Sequence, residues 1–179
     1  MRLREKHSLP LRLVHWFNVP LLCLMIWSGL LIYWANDIYK PILFPPWFNE
    51  FFNIPQRLAE GLSIHYSIGW LFIFNGAVYL GWYIFTRHWR NNAGYNPMQR
   101  IAYFGVIGLA ILAVLSGFAI FKPVQLSWLT AIFGGYSNAR LVHLAVMLSF
   151  CAFILVHVIQ VIRAGWNNFR AMVAGFEHE

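Results

Sequence analysis

Four histidines, His15, His65, His143 and His157, stand in stretches of sequence that otherwise avoid ionisable residues. Those stretches, Leu13 to Asn36, Gly61 to Thr86, Ile101 to Phe121 and Leu141 to Ile162, contain no Asp, Glu, Lys or Arg. A titratable side chain inside an apolar span is costly to keep there, so its default reading is functional. His143 and His157 are fourteen residues apart. On one helix that spacing is a rise of roughly 21 Å and falls about 40° short of four turns, which leaves both imidazoles on nearly one face at two depths. His15 lies near the start of the first stretch and His157 near the end of the last, whereas His65 and His143 lie near the starts of the second and fourth. In a chain that reverses direction at each crossing, the depths pair His15 with His157, and His65 with His143.

Two imidazoles from facing helices are the axial set that a low-spin haem iron takes, and axial ligands together with burial set its potential. Zinc fits less well, because each level supplies two ligands where three or four are usual, and no HExxH pattern is present. A proton relay would recruit Asp or Glu, and the four stretches hold neither. A hydrogen-bonded structural histidine is the bland reading of any one of the four taken alone. The tetrapeptide Arg-Leu-Val-His occurs twice, ending at His15 and at His143. On a helix this puts Arg12 and Arg140 on the histidine face, one turn nearer water. A guanidinium there would pair with a haem propionate; an arginine that snorkels to the interface is the alternative. Gly69, one turn after His65, leaves room for a porphyrin edge against the backbone or serves ordinary packing. His7, His88 and His178 fall outside the stretches and read as solvated or interfacial.

The elements that must carry these residues follow from composition. The 179 residues are 60% hydrophobic and only 11% charged, against roughly 25% charged in a soluble domain. Each uncharged stretch exceeds the ~20 residues that cross a hydrocarbon core. The expected fold class is all-α, a four-helix integral membrane bundle in one membrane domain, with helices over about 10–36, 61–86, 98–121 and 139–163. Between the first two helices, Pro41, Pro45, Pro46 and Pro55 alternate with Trp47, Phe48, Phe51 and Phe52. Segment 39–60 is therefore expected at the outer interface, partly as a short amphipathic helix or as a docking surface. The tail 164–179 is expected to rest on the inner membrane surface. Ser28, Gly29, Gly105, Gly108, Ser116 and Gly117 read as small residues for close helix contact. Cys23 and Cys151 read as small buried apolar residues, and without a CxxCH sequence no covalently attached haem is indicated.

The net charge of +7 does not point to nucleic acid, because the cations border apolar spans instead of forming one face. Nine of the thirteen Lys and Arg, Arg2, Arg4, Lys6, Arg12, Arg87, Arg90, Arg100, Arg163 and Arg170, fall on one side of the expected topology. Lys40, Arg57, Lys122 and Arg140 fall on the other. The positive-inside rule then places both termini in the cytoplasm. The basic start followed by apolar residues looks superficially like a signal peptide, but its apolar run is too long and lacks a small-residue cleavage site.

His15-Trp16, His65 with Gly69, and the pair on the last helix resemble the bacterial di-haem cytochrome b membrane subunits, over about residues 8 to 175. This group includes the cytochrome b partners of nickel-iron hydrogenases, the gamma subunit of respiratory formate dehydrogenase, the thiosulfate reductase membrane subunit and prokaryotic cytochrome b561. The fourteen-residue separation matches that of the formate dehydrogenase subunit. The resemblance implies two non-covalent bis-His b-type haems in a bacterial inner-membrane protein. It also implies electron relay between the quinone pool and an outer-face partner such as a hydrogenase, a molybdopterin enzyme or an iron-sulfur protein. Tyr95-Asn96-Pro97-Met98-Gln99-Arg100 looks similar to that subunit's quinone-site loop, which makes Asn96 the carried-over quinone contact, although the relative has Gly where Met98 stands. A stand-alone cytochrome b561-type oxidoreductase that takes electrons from a small donor such as superoxide is the alternative, and a haem-free membrane anchor or transporter a third. The aromatic segment from Tyr39 to Phe52 favours a docked partner, since a small donor needs no such apolar surface.

Overall fold

The computed structural model describes residues 3–34, 45–54, 57–86 and 97–178. In chain order these form β1 (Leu3–Glu5), α1 (Leu9–Trp34), α2 (Pro46–Phe51), α3 (Leu58–Phe85), α4 (Pro97–Phe121), α5 (Ser127–Ile132), α6 (Tyr136–Ala174) and β2 (Phe176–His178). Helices α1, α3, α4 and α6 are long and apolar enough to cross a membrane. Large apolar side chains such as Phe17, Trp70, Phe74, Phe104 and Leu155 stand exposed on them, as lipid-facing surfaces require. Two compact units make up the chain: Leu9–Trp82, and Tyr83–Glu179 with Met1–Ser8.

Proline and glycine punctuate the helices. Pro10, Pro46 and Pro97 stand in first turns, where a missing N–H costs nothing. Pro123 follows the end of α4. Gly134 (φ 76°) and Gly135 (φ 105°) separate α5 from α6, a conformation that side chains with a Cβ rarely adopt. The Asn138 amide closes that turn by donating to the Gly134 carbonyl at 3.0 Å. Gly165 (φ 81°, ψ 172°) breaks α6 into a spanning part and a tail helix.

The two strands add to the helical architecture expected from sequence. After the left-handed Gly175 (φ 94°), β2 pairs antiparallel with β1, Leu3 opposite His178 and Glu5 opposite Phe176. The Lys6 N–H donates to the Gly175 carbonyl at 2.9 Å. The chain ends are thus joined; within each unit, the end of the first long helix and the start of the second are called its far end below.

In the first unit, α1 packs closely on α3. Gly61 is buried, and a Cβ there would lie 2.7 Å from Leu31 Cβ and 3.2 Å from the Ser28 carbonyl. Buried Asn75 of α3 donates to the Val14 carbonyl at 3.2 Å and to Asn18 Oδ1 at 3.4 Å. At the far end, Trp27 Nε1 donates to the Phe52 carbonyl at 3.3 Å, and the Arg57 guanidinium lies 5.3 Å over the Trp27 ring. Arg57 also bonds the Asn53 carbonyl and pairs with Glu60. This ties the connection to α1 and leaves Trp47 and Phe51 exposed. The short amphipathic helix expected in segment 39–60 is α2; residues 35–44 and 55–56 lie outside the described residues.

In the second unit, Ala119, Leu129 and Ala139 bring α4, α5 and α6 together. Buried Thr130 donates to the Ala119 carbonyl at 3.0 Å, across the turn between α4 and α5. Two expectations about small residues change. Gly105 and Gly108 face open space, so a Cβ at either would touch nothing within 4 Å. Cys23 and Cys151 are exposed on their helices instead of buried; a thiol is apolar enough to face lipid.

Replacing Gly61 by Ala is expected to cost about 1–3 kcal/mol, because the new methyl overlaps Leu31 and backbone across a helix contact. Gly105→Ala is expected to change stability little. Thermal unfolding in mild detergent checks this, with a lower midpoint for Gly61→Ala alone; equal midpoints would contradict the packing described.

Candidate functional site

Each of the two units builds the same arrangement at its own far end. His65 is seven residues beyond the start of α3, and His143 seven beyond the start of α6. Ser28 lies six residues before the end of α1, and Ser116 five before the end of α4. In the first unit Ser28 Oγ is 2.9 Å from His65 Nδ1; in the second Ser116 Oγ is 2.9 Å from His143 Nδ1. Both serines are fully buried.

The serine proton has one good destination. Ser28 Oγ is 2.7 Å from the Leu24 carbonyl and 3.2 Å from that of Met25. Ser116 Oγ repeats both distances to Leu112 and Ala113. A hydroxyl carries one hydrogen, and an O···O contact of 2.7 Å without it would set lone pair against lone pair. The hydroxyl therefore donates to its own helix and accepts from the imidazole. Nδ1 carries the proton in both rings, and Nε2 is left with the lone pair.

A glycine follows each serine. A Cβ at Gly29 would lie 3.5 Å from His65 Cε1, and one at Gly117 would lie 3.3 Å from His143 Cε1. The imidazole edges thus rest against bare backbone. The sequence pointed to these small residues as helix contacts but missed the serines as histidine partners. The signal was available: Ser-Gly occurs twice in the chain, once toward the end of the first uncharged stretch and once toward the end of the third.

The histidines nearer the chain ends have aromatic neighbours. His15, half-buried, stands six residues into α1. The Trp16 ring lies edge-on to it, with centroids 5.4 Å apart. His157 stands eight residues before the break at Gly165 and stacks on Phe153, one turn earlier, at 5.9 Å with an interplanar angle of 6°. Arg12 and Arg140 are half-buried, three residues before His15 and His143. Arg140 sits 5.7 Å over the Tyr136 ring. A Cβ at Gly69 would meet only the flexible Met25 thioether, at 3.8 Å. Asn96 lies outside the described residues.

A neutral imidazole with its Nδ1–H engaged and Nε2 available is the donor a haem iron takes, and such outer hydrogen bonds fix ring orientation. In each unit, taken by itself, the far-end histidine is a donor of that kind. Comparison with known proteins decides the family: the sequence pattern of prokaryotic cytochrome b561 matches residues 6–175. The chain belongs to this family. A protein of Azospira oryzae, described as a candidate protein-methionine-sulfoxide reductase subunit YedZ1, is 31% identical over 183 residues, covering 84% of this chain and 87% of its own length. No solved structure matches the chain. As a prokaryotic cytochrome b561, the protein is a multi-pass bacterial inner-membrane component that binds b-type haem and transfers electrons.

The glycine contacts differ enough to test. A Gly117→Ala methyl must displace the His143 ring by a few tenths of an ångström, whereas Gly29→Ala makes an ordinary contact with His65. Gly117→Ala is expected to shift or broaden the α-band of the reduced b-type spectrum, and Gly29→Ala to leave it unchanged. An equal effect of the two would contradict this geometry.

Proposed function

We propose that this cytochrome holds two b-type haems, one on His65 and His143 and the other on His15 and His157. It passes electrons between an outer-face partner and quinone. The observation that carries the reading is the duplication of the Ser–His arrangement: two units each supply one imidazole, in the same tautomer, seven residues from a helix start. Two equivalent half-sites suit the two faces of one porphyrin. For the second pair, the support is the fourteen-residue spacing that puts His157 one level below His143, together with the entry of His15 on α1.

Bound haem supplies a one-electron iron couple. The chain's own residues hold and tune it. Arg12 and Arg140, one turn from His15 and His143, would neutralise propionates. Gly69, with only a movable Met25 side chain over its backbone, would admit a porphyrin edge. The apolar spans exclude water and keep the charged states of the site costly. The nine-to-four distribution of Lys and Arg supports a cytoplasmic position for the chain ends, with His15 and His157 toward that face. Quinone would meet that level, where Asn96 is the candidate contact.

Trp47 and Phe51 in one unit, and Trp128 and Ile132 in the other, are exposed in connections that the charge distribution assigns to the periplasmic side. These residues supply apolar surface for a partner subunit. The name of the Azospira oryzae relative makes a reductase catalytic subunit the first partner class to test.

The pairing makes a definite prediction. His65→Ala and His143→Ala are each expected to remove the same one of two spectroscopically distinct haems, and His15→Ala and His157→Ala the other. Haem content and redox titration of the four purified variants check it. Removal of different haems by His65→Ala and His143→Ala would overturn the assignment.

A further inference from the structure

We propose that Ser28 and Ser116 are positioning residues that together lower the reduction potential of the haem held by His65 and His143. The inference rests on the ligand assignment above and goes beyond it by naming what sets the potential of that haem.

Each serine acts through its histidine. An Nδ1–H that donates to an oxygen places more electron density on the ring, and a more basic Nε2 favours the higher oxidation state of a bound metal. The acceptor is stronger here than a lone hydroxyl would be. Ser28 Oγ already donates to the Leu24 carbonyl at 2.7 Å, and Ser116 Oγ to the Leu112 carbonyl at the same distance. A hydroxyl that donates is polarised into a better acceptor, and such chains strengthen one another where the surroundings are apolar. Both serines are wholly shielded from solvent, and in the second unit the Ala113 carbonyl is a further acceptor beside His143.

The geometry also keeps each serine fixed. Its Oγ lies within hydrogen-bond reach of carbonyls three and four residues earlier on its own helix, the back-bonded rotamer open to a helical serine. The neighbouring glycine lets the ring come down onto the helix beside it.

The test is a redox titration of Ser28→Ala, Ser116→Ala and the double variant as purified haem-loaded proteins, with the low-spin ferric resonance followed alongside. Each single variant is expected to keep both haems and to raise the potential of one of them. The oxidised-to-reduced ratio at fixed potential should change about threefold, about 28 mV at 59 mV per tenfold for one electron. Both variants are expected to move the same haem, with its ferric resonance shifting and that of the other unchanged. The double variant should show about the sum. Retention of both haems with neither potential moved overturns the proposal, as does movement of the other haem. Should an alanine variant lose haem, Ser→Thr at that position, which keeps the hydroxyl, is expected to restore both haem and wild-type potential. A threonine variant that loads haem at a raised potential, or fails to load it, overturns the proposal too. Failure of the ligand assignment is separate: it appears as His65→Ala or His143→Ala retaining both haems.

Discussion

The cost of an unsatisfied imidazole N–H in an apolar span governs the far end of this protein. Leaving such a donor unpaired costs about 1–3 kcal/mol. The chain answers with a buried serine whose own proton is taken by its helix, at Leu24 in one unit and Leu112 in the other. The remaining features follow from that bond. The serine must be small, the glycine after Ser116 gives the His143 ring room that a methyl would crowd, and the histidine must be held in the tautomer that frees Nε2. A structural need and a functional one are met by the same hydrogen.

The duplication of this bond gives the site its logic. Helices α1 and α3 in one unit, and α4 and α6 in the other, each carry serine late in the first helix and histidine early in the second. The connections differ: α2 lies between α1 and α3 with residues 35–44 and 55–56 outside the described part, whereas α5 and a Gly-Gly turn join α4 to α6. Helix geometry at the histidine level is thus alike while the far-end surfaces differ.

Much of this was legible in the residues. Charge-free stretches announce spanning helices because lipid offers no solvent for Lys, Arg, Asp or Glu, and α1, α3, α4 and α6 follow those stretches. The four histidines stood out against the same background. What sequence could not supply was partnership across helices. Ser28 and His65 are 37 residues apart, and Ser116 and His143 are 27 apart; no local pattern links them. Phe153 beside His157 is a helical i,i+4 neighbour, yet an aromatic in a membrane span is too common to single out. The strand pair at the chain ends was hidden for another reason: three residues in each strand are too few for an alternating pattern. The expectation of packing at Gly105 and Gly108 failed because small residues permit helix contact without demanding it.

The central claim is that two levels of imidazole pairs make this cytochrome a di-haem protein. The direct measurement is the haem-to-protein ratio of the purified, fully loaded chain, from the pyridine haemochrome spectrum and amino-acid analysis of the same sample. The account predicts two b-type haems per chain. A ratio that saturates at one, with excess haem supplied during expression, would contradict it.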